Sequence, residues 1–372
     1  MSLPAPTALA PEYRYWACDL KTGKKLADLP LKPSGALPER ISDVSSVAFT
    51  CDQGALQAGA DLNGYTTPGR TVIVVEREYE GDNTSDPLWA GIVVARDAGS
   101  APEATLNCAT PAAYLGRRQV GTHTYTGGPG DTDTQIIADL MADAAPEGIG
   151  FILDVNCPTL RTVRYLAPQR RNVLDCLKEL ADMENGPEWT VVTRWATADR
   201  LAVQFVFVAR TRLGWAGTPT TRFDYPGSIR SYKATDDFTE GHGSNAVIGI
   251  NSSGAASPPA RDGAAFTEGW PRWEETVTKS GSLDAAGLAG IAKAALAKRA
   301  RGQSTVDMAV DLTLGPQFGR DWVLGDNVAF VDYGSFRYPA GHQETVRVIG
   351  HSLDIPNDTL TPVLWNPYEE TT

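Results

Sequence analysis

The chain has 372 residues and carries 33 Lys and Arg against 45 Asp and Glu, a formal net charge of −12. That balance speaks against sequence-specific DNA binding, which needs a basic face to neutralise phosphates. The strongest apolar runs, 72–75, 90–95 and 202–209, fall far short of the roughly 18 residues of a membrane helix, so no membrane span is expected.

With 42% hydrophobic residues, 36 Gly and 25 Pro, the composition fits two or three globular domains rather than a low-complexity chain. The opening Met-Ser-Leu-Pro-Ala-Pro lacks a basic segment followed by an apolar one, so no secretory signal is expected. The five cysteines, Cys18, Cys51, Cys108, Cys157 and Cys176, are odd in number and widely spaced, with no Cys-x-x-Cys. They are expected to be reduced, small apolar side chains in a protein made in a reducing cytoplasm.

Residues 13–110 read as β-structure. The run 71–75 follows a Pro68-Gly69 turn signal, 88–94 follows the polar loop 81–87, and 103–108 alternates polar and apolar residues. Short β-branched runs bounded by Gly, Pro, Asn and Asp predict antiparallel hairpins in a sandwich or barrel.

Residues 112–210 read as α+β. Asp133 or Thr134 is placed to cap a helix with Ile136, Ile137, Leu140, Met141 and Ala144 on one face, closed by Pro146. Asn172 is placed to cap a second, carrying Val173, Leu174, Leu177, Leu180 and Ala181, with Asp175 in the reciprocal capping position. A hairpin follows: 189–194, a turn at 198–200, and 201–209.

Residues 211–281 read as irregular or β, with a short strand at 246–250 and the best flexible loop between Asn251 and Pro259. A helix is predicted over 282–301, with Ser282 as cap and Asp284 in its first turn. Leu288, Ile291, Ala295 and Leu296 form its stripe, basic residues load its end and Gly302 terminates it. β-structure resumes up to Trp365. The expected divisions are therefore 1–111, 112–210, 211–281 and 282–372.

One internal similarity stands out. Gly69-Arg70-Thr71-Val72-Ile73-Val74-Val75, a polar loop and Ile92-Val93 parallel Gly325-Asp326-Asn327-Val328-Ala329-Phe330-Val331, a polar loop and Val348-Ile349. Gly69 to Val93 and Gly325 to Ile349 both span 24 positions. The match raises the expectation of two related barrels in one chain.

No catalytic constellation emerges. Gly127-Gly128-Pro129-Gly130-Asp131 lacks the Lys-Ser/Thr ending of a phosphate loop, and Asp131-x-Asp133 lacks the later ligands of a calcium loop. His123, His242, His342 and His351 form no His-x-x-x-His or His-Glu-x-x-His pair. His242-Gly243-Ser244 with Asp236-Asp237 has no nucleophile elbow around it. Glu274-Glu275 and Glu369-Glu370 are neighbours that would point to opposite faces of a strand. Arg161, Arg164, Arg170 and Arg171 read as a salt-bridge surface, with an anion site as the alternative. No catalytic, cofactor or metal residue is assigned, and an enzyme is not expected.

The segment Tyr13-Arg14-Tyr15-Trp16-Ala17-Cys18-Asp19-Leu20-Lys21-Thr22-Gly23, with Leu29-Pro30-Leu31 after it, resembles the opening of actinobacteriophage minor tail proteins. Gly186-Pro187-Glu188-Trp189-Thr190-Val191, Gly325-Asp326-Asn327-Val328 and Thr345-Val346-Arg347-Val348-Ile349-Gly350 are similar to segments of the same proteins, in the same order. That family is similar to the baseplate-hub, or tail-associated, proteins of siphophages. The resemblance implies a mainly β fold with an α+β insertion: two β-barrel-like domains plus an α/β domain.

It also implies a structural role in the virion at the tail tip, assembled in the host bacterial cytoplasm as a homotrimeric ring around the DNA channel. Its implied partners are the distal tail protein, other tail-tip proteins and the tape measure protein. An acidic lumen that lets DNA pass without sticking would suit the net charge. The alternative is a virion glycan- or receptor-binding module, for which 9 Trp and 12 Tyr could stack on sugars. Ending at Thr372, the chain carries no recognisable peptidase or lysozyme module, so wall hydrolysis is not expected.

Overall fold

A computed structural model describes residues 12–52, 61–78, 86–100, 103–183, 185–251, 254–279 and 285–365. Its N-terminal sheet has seven strands in the spatial order Lys25–Asp28, Glu12–Asp19, Thr71–Glu78, Trp89–Asp97, Glu103–Ala109, Ser46–Asp52, Leu31–Pro33. All neighbours are antiparallel. The first and last strands of this path are joined through Leu29 and Pro30 alone, so the sheet curls back on itself as a barrel-like unit.

One inner strand explains its own composition. In Thr71–Glu78, Ile73 and Val75 face the barrel interior with Phe49, Trp89 and Leu106. Val72 and Val74 face outward and are buried under Ile149, Val203 and Phe205 of the next unit. A strand covered on both faces reads as a continuous apolar run rather than an alternation.

The inserted unit is α+β, as its periodicity predicts. The helices Asp133–Ala144 and Val173–Ala181 share a core with Trp189, Phe207 and Ala209 of a three-stranded sheet. In that sheet Val203–Arg210 lies between Phe151–Asn156, to which it is parallel, and Glu188–Trp195, to which it is antiparallel. The expected hairpin is present. The partner Phe151–Asn156 was not read in the sequence, and neither was the ribbon His123–Thr126 with Thr162–Tyr165.

Asn172 caps its helix, accepting the Asp175 N–H at 2.7 Å. The first helix is capped by Thr132 rather than by Asp133 or Thr134. Asp133 is drawn away, because its buried carboxylate accepts from both Nε and Nη2 of Arg161, at 3.0 Å each.

The C-terminal sheet runs Arg222–Tyr225, Asn327–Asp332, His342–Asp354, Thr359–Trp365, Gln303–Asp311, Ile229–Asp237. Its end strands are again consecutive in the chain. Inserted between Ile229–Asp237 and Gln303–Asp311 is a small sheet, with Ala246–Asn251 between Ala260–Arg261 and Glu274–Lys279. The helix Ala285–Arg299 packs on it through Leu288, whose carbonyl lies against Gly249. Ser282 and Asp284 lie outside the described residues. These contacts cross the division expected at 281/282.

The two barrel-like sheets repeat one another. In the first, Leu31–Pro33 pairs with Ser46–Asp52, which pairs with Glu103–Ala109, then Trp89–Asp97, then Thr71–Glu78. In the second, Ile229–Asp237, Gln303–Asp311, Thr359–Trp365, His342–Asp354 and Asn327–Asp332 follow the same course. Ile73 opposite Gly91 and Val72 opposite Ile92 correspond to Val328 opposite Val346 and Asn327 opposite Arg347. The bulge at Val93/Ala95 recurs at Val348/Gly350.

Matching Gly69 with Gly325 in the sequence aligned Val72 with Val328, which is one residue out of this register. Val72 faces outward and Val328 inward, and a one-residue slip exchanges the two faces of a strand.

The two turn glycines do similar work. Gly69 and Gly325 have φ of +73° and +94°, and each donates its N–H to the bulge residue of the second strand, Val93 or Val348, at 2.7 Å. A Cβ on Gly69 would meet nothing, whereas one on Gly325 would lie 2.3 Å from the Leu213 carbonyl oxygen. Both alanine variants incur the left-handed cost of roughly 1–2 kcal/mol. Gly325→Ala adds a backbone clash, so it is expected to melt well below Gly69→Ala in a thermal scan.

Candidate functional site

The three large units meet along surfaces tied by buried polar groups. Between the barrels, Arg77 donates to Asp358 at 3.1 and 2.8 Å and to Gln317 at 3.1 Å, while the Tyr13 hydroxyl donates to the same Asp358. Burial and that hydrogen bond push the Tyr13 phenol far up, so it stays a donor. Between the first barrel and the insertion, Arg200 donates to the buried Glu76 at 2.6 Å. Between the second barrel and the insertion, Arg347 donates to both oxygens of Glu188, at 2.7 Å in one case, and to the Gly325 and Leu213 carbonyls at 3.2 Å each.

The strand Leu37–Arg40 leaves the first barrel and pairs onto His342–Asp354 of the second, with Glu39 opposite His351. It borders a cleft of about 430 Å³ at the junction, lined among others by Glu39, Trp89, Thr190, Phe318, Arg320 and Leu324. The His351 Nε2 is 4.0 Å from the Glu39 carboxylate, and its ring lies against Phe318 with centroids 4.2 Å apart, tilted by 46°. Burial raises the Glu39 carboxyl to about 7, against the opposing hydrogen bond of Thr190. Burial lowers His351 to about 3.

The residues singled out in the sequence do not come together as a reactive site. In the loop 127–131 the Asp131 carboxylate accepts the N–H groups of Thr126 at 2.7 Å and Gly128 at 3.1 Å. The loop therefore supplies its own anion. The arginine cluster splits into separate partnerships: Arg161 with Asp133, Arg171 with Glu179, Arg170 with Gln119.

His123 pairs with Asp143 at 2.7 Å, and His342 stacks on Tyr338 at 4.2 Å. His242 holds Asp237, whose pKa falls to about 2 chiefly through that bond. The Ser244 hydroxyl is buried and bonds to neither, so no triad forms. Glu274 pairs with Arg272 and Glu275 with Arg299, while Glu369 and Glu370 lie outside the described residues. All five cysteines are free and buried, and burial raises the Cys18 and Cys108 thiols to about 12, which makes them poor nucleophiles. Among the described residues, no group of three or more His, Cys, Asp or Glu could hold a metal ion, and no helix is long and apolar enough to cross a membrane.

No protein-family model and no curated protein matches the chain. Solved structures do. A tail protein from Neisseria meningitidis MC58 matches with a TM-score of 0.54 at 17% identity, over 94% of this chain and 95% of that one. The 43 kDa tail protein of prophage MuSo2 from Shewanella oneidensis matches with a TM-score of 0.57 at 14% identity, over 96% and 99%. The fold is that of phage tail proteins. A chain in the Francisella PdpA-VgrG complex also matches, with a TM-score of 0.55 at 9% identity, over 97% of this chain and 59% of that one.

Within this fold the buried ties are what the sequence reading missed. Arg77, Glu188, Arg347 and Asp358 sit in strands or turns where a charged residue ordinarily faces water. A faint signal existed: Arg347 interrupts the otherwise apolar run 346–349.

Proposed function

We propose that the chain is a structural subunit of a phage tail, a tail-tip hub of the siphophage type. In this reading three copies form a ring that joins the tail tube to the distal tip around the DNA channel. The observation that carries it is the duplication. One chain holds two barrel-like sheets of the same strand course and the same register, so three chains present six similar modules. A ring built that way can mate a sixfold tube to a threefold tip. The tail-protein fold supports the same role.

The work is mechanical, and interfaces carry it. The distal tail protein, other tail-tip proteins and the tape measure protein are the partners this role requires. The net charge of −12 suits a lumen that repels phosphate. The exposed edge strand Phe151–Asn156, with Ile152 and Leu153 in solvent, and the exposed Phe336 are surfaces of the kind that assembly covers.

The test is mass photometry of the purified full chain followed by negative-stain averaging. A trimeric annulus is the expected result. A closed dimer, or a ring of another order, would refute the reading.

A further inference from the structure

Inside one chain the first barrel lends a strand to the second. The connection between Leu31–Pro33 and Ser46–Asp52 carries Leu37–Arg40, which pairs with Gly350–Leu353 directly beyond the bulge at Val348/Gly350. The matching stretch of the first barrel is Ala95–Asp97, directly beyond the bulge at Val93/Ala95. One side of it pairs with Glu103–Ala109. On the other side the pairing with Thr71–Glu78 stops at Ile92, and no further strand joins it among the described residues. Val94 stands 53% exposed there.

The second barrel has a matching connection too, between Ile229–Asp237 and Gln303–Asp311, and it holds the small sheet. The strand Glu274–Lys279 pairs with Ala246–Asn251 on one edge and, among the described residues, with no strand on the other. Beside it Phe238 packs against Trp270 and Trp273 at 5.5 and 5.6 Å, and both tryptophans stay partly in solvent. Exposed aromatic anchors next to an open strand edge are features of a protein interface.

We propose that the internal strand loan recurs between copies: Glu274–Lys279 of one chain pairs with the Val94–Asp97 edge of the next. The occupant is a second copy of this chain, because the two halves share one topology and the lent strand and the receiving edge occupy corresponding places in it. Repeating one barrel-to-barrel step alternately within and between chains gives a heterologous contact that closes only at a fixed number of copies. The proposal rests on the ring reading above and specifies which edges meet.

The test is a full chain carrying Val94→Cys and Thr276→Cys, with Thr278→Cys as a second pairing in case the register is shifted, treated with a short bis-maleimide. The native cysteines are buried, which leaves the introduced pair as the reactive one. The expected result is a covalent ladder on a denaturing gel that ends at three chains, and none from either single variant. Val94→Arg is expected to weaken assembly by about tenfold or more without altering the far-UV spectrum of the monomer. A chain that is trimeric by mass photometry yet gives no ladder with either pairing refutes the strand loan and leaves the ring standing. A chain that is monomeric at every concentration refutes both.

Discussion

Replacing Arg347 by methionine is expected to cost the folded chain about 3–5 kcal/mol, the range for breaking a buried ion pair from one side. Arg347 is only 2% exposed, and it is the cation that ties Glu188 of the insertion, which also accepts the Leu213 N–H at 2.7 Å, to two carbonyls at the neck of the second barrel. Methionine keeps the bulk and removes every donor, so the Glu188 carboxylate is left without its cation at a partly buried seam. The cost should show as a lower urea midpoint. Glu188→Gln added to Arg347→Met should recover a large part of it, because the stranded charge is then gone. Additive single and double variants would mean that the pair is not coupled. In the first barrel the corresponding residue is Ile92, which meets the insertion by apolar packing. At this position one seam is apolar and its counterpart ionic, so a matching Ile92→Ala should behave as a cavity, with no partner able to rescue it.

The pair Glu39 and His351 is expected to make stability flat in pH where each residue alone would tilt it. Glu39 has its folded pKa raised from 4.5 to about 7, so its contribution is full below pH 4.5 and is lost as pH rises to about 7. His351 has its folded pKa lowered from 6.5 to about 3, so its contribution is full above pH 6.5 and is lost as pH falls to about 3. Between pH 4.5 and 6.5 the folded pair holds one proton on Glu39, and the unfolded pair holds one on the histidine. The proton count is equal, and the slopes cancel.

Glu39→Gln removes one slope and leaves the other. That variant should lose stability steadily below pH 6.5, at about 1.4 kcal/mol per pH unit. His351→Phe should do the reverse, losing stability from pH 4.5 up to about 7. Urea titrations across pH 4 to 8 read both slopes. If both variants track the parent chain across that range, the pair does not share its proton in this way.

The elements whose signal is local were legible from the residues. Asn172 followed by Asp175 and a stripe at helical spacing declared the helix Val173–Ala181, since capping and periodicity need only a few consecutive residues. The hairpin of Glu188–Trp195 and Val203–Arg210 was equally plain. Phe151–Asn156 was missed because it is a parallel edge strand whose partner lies some fifty residues away, and its side chains are largely exposed. The cap at Thr132 was missed because a long-range ion pair, not the local sequence, occupies Asp133.

The duplication divides the same way. Repeated turn glycines and apolar runs announced two similar hairpins, because those features are set by φ angles and burial within a single strand pair. The alignment nevertheless came out one residue off, since glycine position and strand face are separate constraints and only pairing fixes the face. The amino-acid order determined that the chain is mainly β with an α+β insertion, and it offered no grouping of residues suited to catalysis. Tertiary structure alone decided that Leu37–Arg40 crosses to the other barrel, that Glu188 meets Arg347, and that Glu39 lies against His351. Such contacts join residues far apart in the chain, and a buried charge and a solvated one are written with the same letters.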